Sequence, residues 1–189
     1  MAAINRAKAL NSVLRLEKSY SIWQEVIHTS MRIIGIDPGT GILGFGVIDV
    51  NGGRMRLVTA GVITTPAHTP LPDRLEEIYS SLTDIIKETQ PDVMSVEKLF
   101  FTKNITTAIS VAEARGVAIL TGRQAKLPIH EYTPNEIKKS ITGYGAAKKP
   151  QIQEMVRIQL GLQEVPKPDD CADALAAALT HAFMSRIEA

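Results

Sequence analysis

Three strand-length apolar runs follow one another between residues 31 and 63, separated by turns too short to hold a helix. The first is Met31-Arg-Ile-Ile-Gly-Ile-Asp37, the second covers residues 43–50 and the third residues 55–63. Asn51-Gly52-Gly53 joins the last two, a strong hairpin signal because such turns need positive φ at both central residues. The sheet therefore opens as an antiparallel meander. Beyond it the pattern changes: Leu71, Leu75, Ile78, Leu82 and Ile85 recur at steps of three and four, which predicts an amphipathic helix ending near Gln90-Pro91. A strand at 92–97, a long helix over about 105–123 and a short strand at 128–132 come next. Thr133-Pro134-Asn135-Glu136 is a capping box with proline at the first helical position, so a short helix starts there. Further helices are expected over about 150–160 and 170–186, separated by Val165-Pro166-Lys167-Pro168. Helices following and alternating with strands define an α/β chain.

The 189 residues fit one domain that can bury a substantial core without disulfides. Cys171, the single cysteine, cannot form an internal bridge, and no Cys/His cluster suggests zinc. A net charge of +1 argues against a general nucleic-acid coat but allows a local basic face beside an acidic site. No apolar stretch approaches the roughly 20 residues of a membrane span, and the N-terminus lacks a secretion signal's apolar core. We expect a soluble, cytoplasmic protein with no membrane partner. Residues 1–30 stand apart, with the only tryptophan, Trp23, loosely helical apolar spacing, and Met31 immediately before the first strand. Either they form a helical appendage or they precede the true start; the fold proper is expected in 31–189.

Asp37 ends the first strand, Glu97 ends the fourth, and Asp170 and Asp173 open the last helix. Carboxylates delivered to one point from separate elements are how proteins hold Mg²⁺ for phosphate-ester chemistry, and buried acids without a counter-charge are costly. Each acid also has a plainer reading. Asp-Pro-Gly is ordinary turn chemistry, Glu97 can pair with Lys98 or Lys103, and Asp170 and Asp173 can serve the helix dipole. Asp169 is the better capping candidate, which leaves Asp170 and Asp173, three apart and on one helix face, free to share an ion.

Gly39-Thr-Gly41-Ile-Leu-Gly44 matches the dinucleotide fingerprint, but it runs into a strand where a helix is required, so tight turning and close packing explain the glycines better. Phe100-Phe101 follows Glu97, either filling the core edge or offering a stacking wedge for bases. Lys138-Lys139 and Lys148-Lys149 flank a glycine-rich loop; beside an acidic centre they suit phosphate contact. His68, His130 and His181 have no ligand spacing among them, and His181 reads as a packed or supporting residue.

Ile34-Gly-Ile-Asp37-Pro-Gly-Thr-Gly, Val96-Glu97-Lys-Leu-Phe100-Phe-Thr-Lys-Asn104, Ala114-Arg-Gly-Val-Ala118 and Asp170-Cys-Ala-Asp173-Ala-Leu-Ala together resemble the RuvC family of Holliday-junction resolvases. The resemblance spans residue 31 to about 186. It implies an RNase H-like fold with a five-stranded mixed sheet, three antiparallel strands then two parallel, and helices on both faces. It further implies a structure-specific endonuclease making paired nicks in four-way DNA junctions in recombination and repair, leaving 5′-phosphate and 3′-hydroxyl ends. The metal-binding and catalytic acids would be Asp37, Glu97, Asp170 and Asp173, with two Mg²⁺ per subunit, replaceable by Mn²⁺. Asp37 would bridge the ions about 3.5–4 Å apart for in-line displacement. Phe100 would be the DNA-inserted aromatic, and Lys138 and Lys149 the basic contacts, uncertain by one residue because each lysine is doubled. A homodimer and the RuvA–RuvB branch-migration complex are the implied partners. Two other classes share features with the sequence. Actin-like ATPases and sugar kinases also use an Asp-Pro-Gly-Thr turn but need two such domains, and a binding-only module would lack an acid.

Overall fold

The computed structural model describes residues 30–99 and 105–185. Strands β1 (Met31–Asp37), β2 (Ile42–Asn51) and β3 (Arg54–Thr64) are followed by α1 (Leu71–Thr89), β4 (Val93–Glu97), α2 (Ile105–Gln124) and β5 (Ile129–Tyr132). Helices α3 (Pro134–Thr142), α4 (Lys149–Leu160) and α5 (Asp169–Met184) complete the described chain. The sheet order is β3-β2-β1-β4-β5. Its first three strands are antiparallel, and β4 and β5 run parallel to β1. The C-terminal ends of β1, β3, β4 and β5 therefore share one end of the sheet. Gly52 and Gly53 have φ of 52° and 88°, the left-handed backbone the hairpin needs, and their turn lies at the opposite end.

Alternation along β1 divides two cores. Ile33 faces a layer with Ile48, Ile137, Val156, Leu175 and Leu179, while Ile34 and Ile36 face Val47, Ile78, Leu82, Met94 and Ala118. Helices α3 to α5 cover the first face, and α1 and α2 the second. α5 sits against the sheet backbone itself. A Cβ on Gly35 would overlap the Ala174 carbonyl, and one on Gly44 would overlap the Asp170 carbonyl. The helix answers with alanines at 172, 174, 176, 177, 178 and 182, all buried. Small residues on both partners let the axes approach, and the approach fixes where the helix N-terminus lands.

Helix α3 is closed by the local chemistry the sequence announces. Thr133 Oγ1 accepts from the Glu136 amide at 3.2 Å, and Glu136 accepts from the Thr133 amide at 2.7 Å. The capping role expected of Asp169 is a correction: Pro168 occupies the N-cap of α5 in extended conformation, and Asp169 is already helical. An N-cap must lie outside helical φ/ψ, which the rigid Pro168 ring satisfies.

Candidate active site

Asp37 terminates β1, whose cross-strand partner at that register is Gly44 of β2. Gly44 also lies against Asp170 at the start of α5, so one glycine brings the β1 and α5 acids to the same place. Glu97 ends β4, parallel to β1 and adjacent to it. The convergence is visible in the electrostatics: burial, then Glu97, Asp173 and Asp170, push the Asp37 carboxyl up to about 8, while Lys149 opposes them. Burial and then Asp173 push Glu97 up to about 7, against Lys138 and Lys149. Burial does most of the raising at both carboxyls, and the neighbouring carboxylates add to it.

Glu97, Pro134, Ile137, Lys138, Lys149, Ile152, Asp173 and Ala176 line an open cavity of about 270 Å³. Of each lysine pair, Lys138 and Lys149 line it. Lys139 instead runs beside Gly145, and the Lys148 amide donates to Gln151 Oε1 at 2.8 Å. Lys149 Nζ donates to Asp173 Oδ2 at 2.9 Å and lies 3.4 Å from Asp169 Oδ2. Those carboxylates hold the Lys149 ammonium above its ordinary range. Asp169 thus pairs with the rim lysine. Among the described residues no three His, Cys, Asp or Glu side chains are drawn to the spacing of a closed metal shell. Lys149 supplies counter-charge to Asp173. The donor set itself is hard oxygen throughout, without thiolate or imidazole, which suits Mg²⁺ or Mn²⁺ over softer metals.

Phe100 lies outside the described residues, as do Phe101 and Lys103. His181 is buried; its Nδ1 is 2.9 Å from the Tyr132 hydroxyl and its ring 4.3 Å from that of His130. Burial, then His130, hold its pKa down at about 4, so it is a neutral packing partner. One contributor has no assigned role in the sequence reading. Arg115 of α2 donates through Nε to the Glu97 carbonyl at 3.3 Å and pairs through Nη2 with Glu131 of β5. This bracket ties the end of β4 to its neighbours. Its only signal is a lone arginine inside the otherwise apolar segment Ala114-Arg115-Gly116-Val117-Ala118.

A mixed five-stranded sheet of this order, with acids gathered at the ends of β1 and β4 and the start of α5, defines an RNase H-like domain with an acidic centre. The sequence model of crossover junction endodeoxyribonuclease RuvC matches residues 33–181. The chain is 54% identical over 153 residues to the curated RuvC of Chloroflexus aggregans, covering 81% of this chain and 93% of that one. It is 55% identical over 152 residues to the RuvC of Brevibacillus brevis, covering 80% and 92%. A structure of Thermus thermophilus RuvC in complex with Holliday junction substrate superposes with a TM-score of 0.80 at 36% identity, covering 84% of this chain and 96% of that one. The yeast mitochondrial Holliday junction resolvase Ydc2, at 13% identity and a TM-score of 0.62, shares the fold. The chain belongs to the RuvC family.

Proposed function

We propose that this chain is a crossover junction endodeoxyribonuclease that resolves four-way DNA junctions by paired nicks in recombination and repair. The observation that carries the reading is the gathering of Asp37, Glu97, Asp170 and Asp173 at one end of the sheet, with Lys138 and Lys149 on the rim. The four acids hold divalent cations, two Mg²⁺ per subunit, with Mn²⁺ as a substitute. When bound, such ions supply charge to activate water and to stabilise the leaving 3′ oxygen. The chain's own residues do the rest. Asp37, half-buried between β2 and α5, would hold the ions together with Glu97 and Asp173 on the cavity side and Asp170 beside Gly44. Lys138 and Lys149 hold the phosphodiester by charge, orienting it over the acids. Phe100, just beyond Glu97, unstacks the junction centre. Residues 31–189 act as one nuclease domain, with 1–30 outside it, a division supported by the family match beginning at 33.

Each chain offers one acid cluster, and resolution takes two symmetric cuts, so the working unit is a twofold homodimer matching the junction's symmetry. Ile109 and Leu120 of α2 are exposed and offer apolar contact, whereas Val117 and Ile119 of the same helix pack inward. The RuvA–RuvB branch-migration complex is the further partner, and the cytoplasm the place of action. Among the described residues no helix is long and apolar enough to cross a membrane.

A synthetic four-way junction incubated with Mg²⁺ should be cut into nicked duplexes, while linear duplex is spared and ATP is not hydrolysed. Equal cutting of both DNAs, or ATP turnover, would overturn the reading. Phe100→Ala should impair cutting of a fully paired junction more than of one with unpaired bases at its centre, because the wedge no longer offsets unstacking.

A further inference from the structure

The cavity lysines flank the acids on the side of α3 and α4, but the opposite flank of the same sheet end carries a cation too. Arg74 lies in the first turn of α1, directly after β3. The positive end of a helix dipole disfavours arginine there, so something must recompense the placement. Part of the answer is a hydrogen-bonded chain leading to the turn that follows Asp37. Arg74 Nε donates to Thr65 Oγ1 at 2.8 Å, Thr65 Oγ1 donates to the Thr40 carbonyl at 2.6 Å, and the Thr65 amide donates to the Gly41 carbonyl at 3.0 Å. Thr40 and Thr65 are buried, and Thr40 Oγ1 has no hydrogen-bond partner. Arg74 Nη2 lies over Gly41, 3.5 Å from where a Cβ on that glycine would stand, an ordinary contact distance.

This chain uses only Nε. Among the described residues the two Nη nitrogens have no hydrogen-bond or ion-pair partner, and the side chain is half-buried. A guanidinium pinned by one nitrogen, with its outer edge unspent, presents parallel donors in the geometry that phosphate oxygens accept. Gly41, which Arg74 Nη2 adjoins, precedes by three residues Gly44 of β2, the glycine paired with Asp37 and packed against Asp170.

Resting on the junction-resolvase reading, we propose that Arg74 is a phosphate-binding residue, holding the backbone of the cleaved strand a few nucleotides from the cut, on the flank opposite Lys138 and Lys149. The strand then crosses the acidic end between two cationic holds, and the helix dipole that disfavours Arg74 adds to the local attraction for phosphate.

The test is junction binding by fluorescence anisotropy, in Ca²⁺ to prevent turnover, across a KCl series. Arg74→Gln should lower the slope of log affinity against log salt by about 0.9, one phosphate contact. Arg74→Lys should keep the slope, and both should melt within a few degrees of the parent. Junctions carrying a neutral methylphosphonate at single positions of the cleaved strand locate the contact: one position should weaken the parent protein but not Arg74→Gln. An unchanged slope, or equal losses at every position in both proteins, would overturn the proposal, as would a lowered melting temperature with an unchanged slope, which marks Arg74 as a turn clamp only. The parent's preference for a junction over linear duplex, measured alongside, tests the resolvase reading separately.

Discussion

Asp37 keeps its proton to unusually high pH, and that has a measurable consequence for the protein without metal. Its folded pKa of about 8, and that of Glu97 at about 7, lie above the ordinary carboxylate range, so the unfolded chain releases these protons first. The stability these groups contribute is greatest below about pH 4 and is lost as pH rises through 7 and 8. In EDTA the melting temperature should therefore fall between pH 5 and pH 8, with Mg²⁺ restoring it at pH 8 and doing little at pH 5. Scanning calorimetry at both pH values, with and without the ion, checks this; a flat profile would contradict it. Asp37→Asn should flatten the profile, raise the metal-free melting temperature at pH 8, and leave junction binding intact. Cleavage should fall at least about a thousandfold, about 4 kcal/mol of barrier. For the rim, Lys138→Ala and Lys149→Ala should each reduce the salt slope of junction binding by about 0.9. Lys149→Ala also removes the partner of Asp173, so its effect on Mg²⁺ affinity should be the larger of the two.

Among the elements, α5 carries the finest tolerance because it meets backbone rather than side chains. Gly44→Ala places a methyl group against the Asp170 carbonyl, and relief requires the helix start to move. We expect about 1–3 kcal/mol of destabilisation, together with a weakened response of activity to Mg²⁺. Urea denaturation and a Mg²⁺ titration of cleavage measure the two effects, and a variant that melts normally but needs the same Mg²⁺ would show that the helix had not shifted. These glycines also illustrate what could be read beforehand. The run from Gly39 to Gly44 leads into a strand, which argues against a dinucleotide loop and for close packing; a Cβ on Gly39 would indeed overlap the Ile42 carbonyl within the turn. Strand ends were legible because each acid follows an apolar run, and the capping box at Thr133 because its spacing is local. Asp169 was misread because proline is a poor side-chain cap but a good extended residue. The Arg115 bracket was beyond reach, since Glu97, Arg115 and Glu131 come together only when β4, α2 and β5 pack.

At the scale of the molecule, the sheet places its chemistry at one end and a two-glycine hairpin at the other. Two chains acting on one junction should show as a dimer by light scattering, at least on DNA. Mixtures of parent protein with Asp37→Asn should yield heterodimers that nick a cruciform plasmid without linearising it. A strict monomer making both cuts in one binding event would defeat that arrangement. The hairpin at Gly52-Gly53 has another use. Nothing lies within 4 Å of a Cβ built on Gly53. It is separated from Asp37 by the full length of β1, seven residues or about 23 Å at about 3.3 Å each. A fluorophore or surface tether carried on a residue inserted at this hairpin, with both glycines kept for their left-handed backbone, would sit at the end of the sheet away from the acids. The molecule thus comes with its own attachment point for watching single junctions being cut.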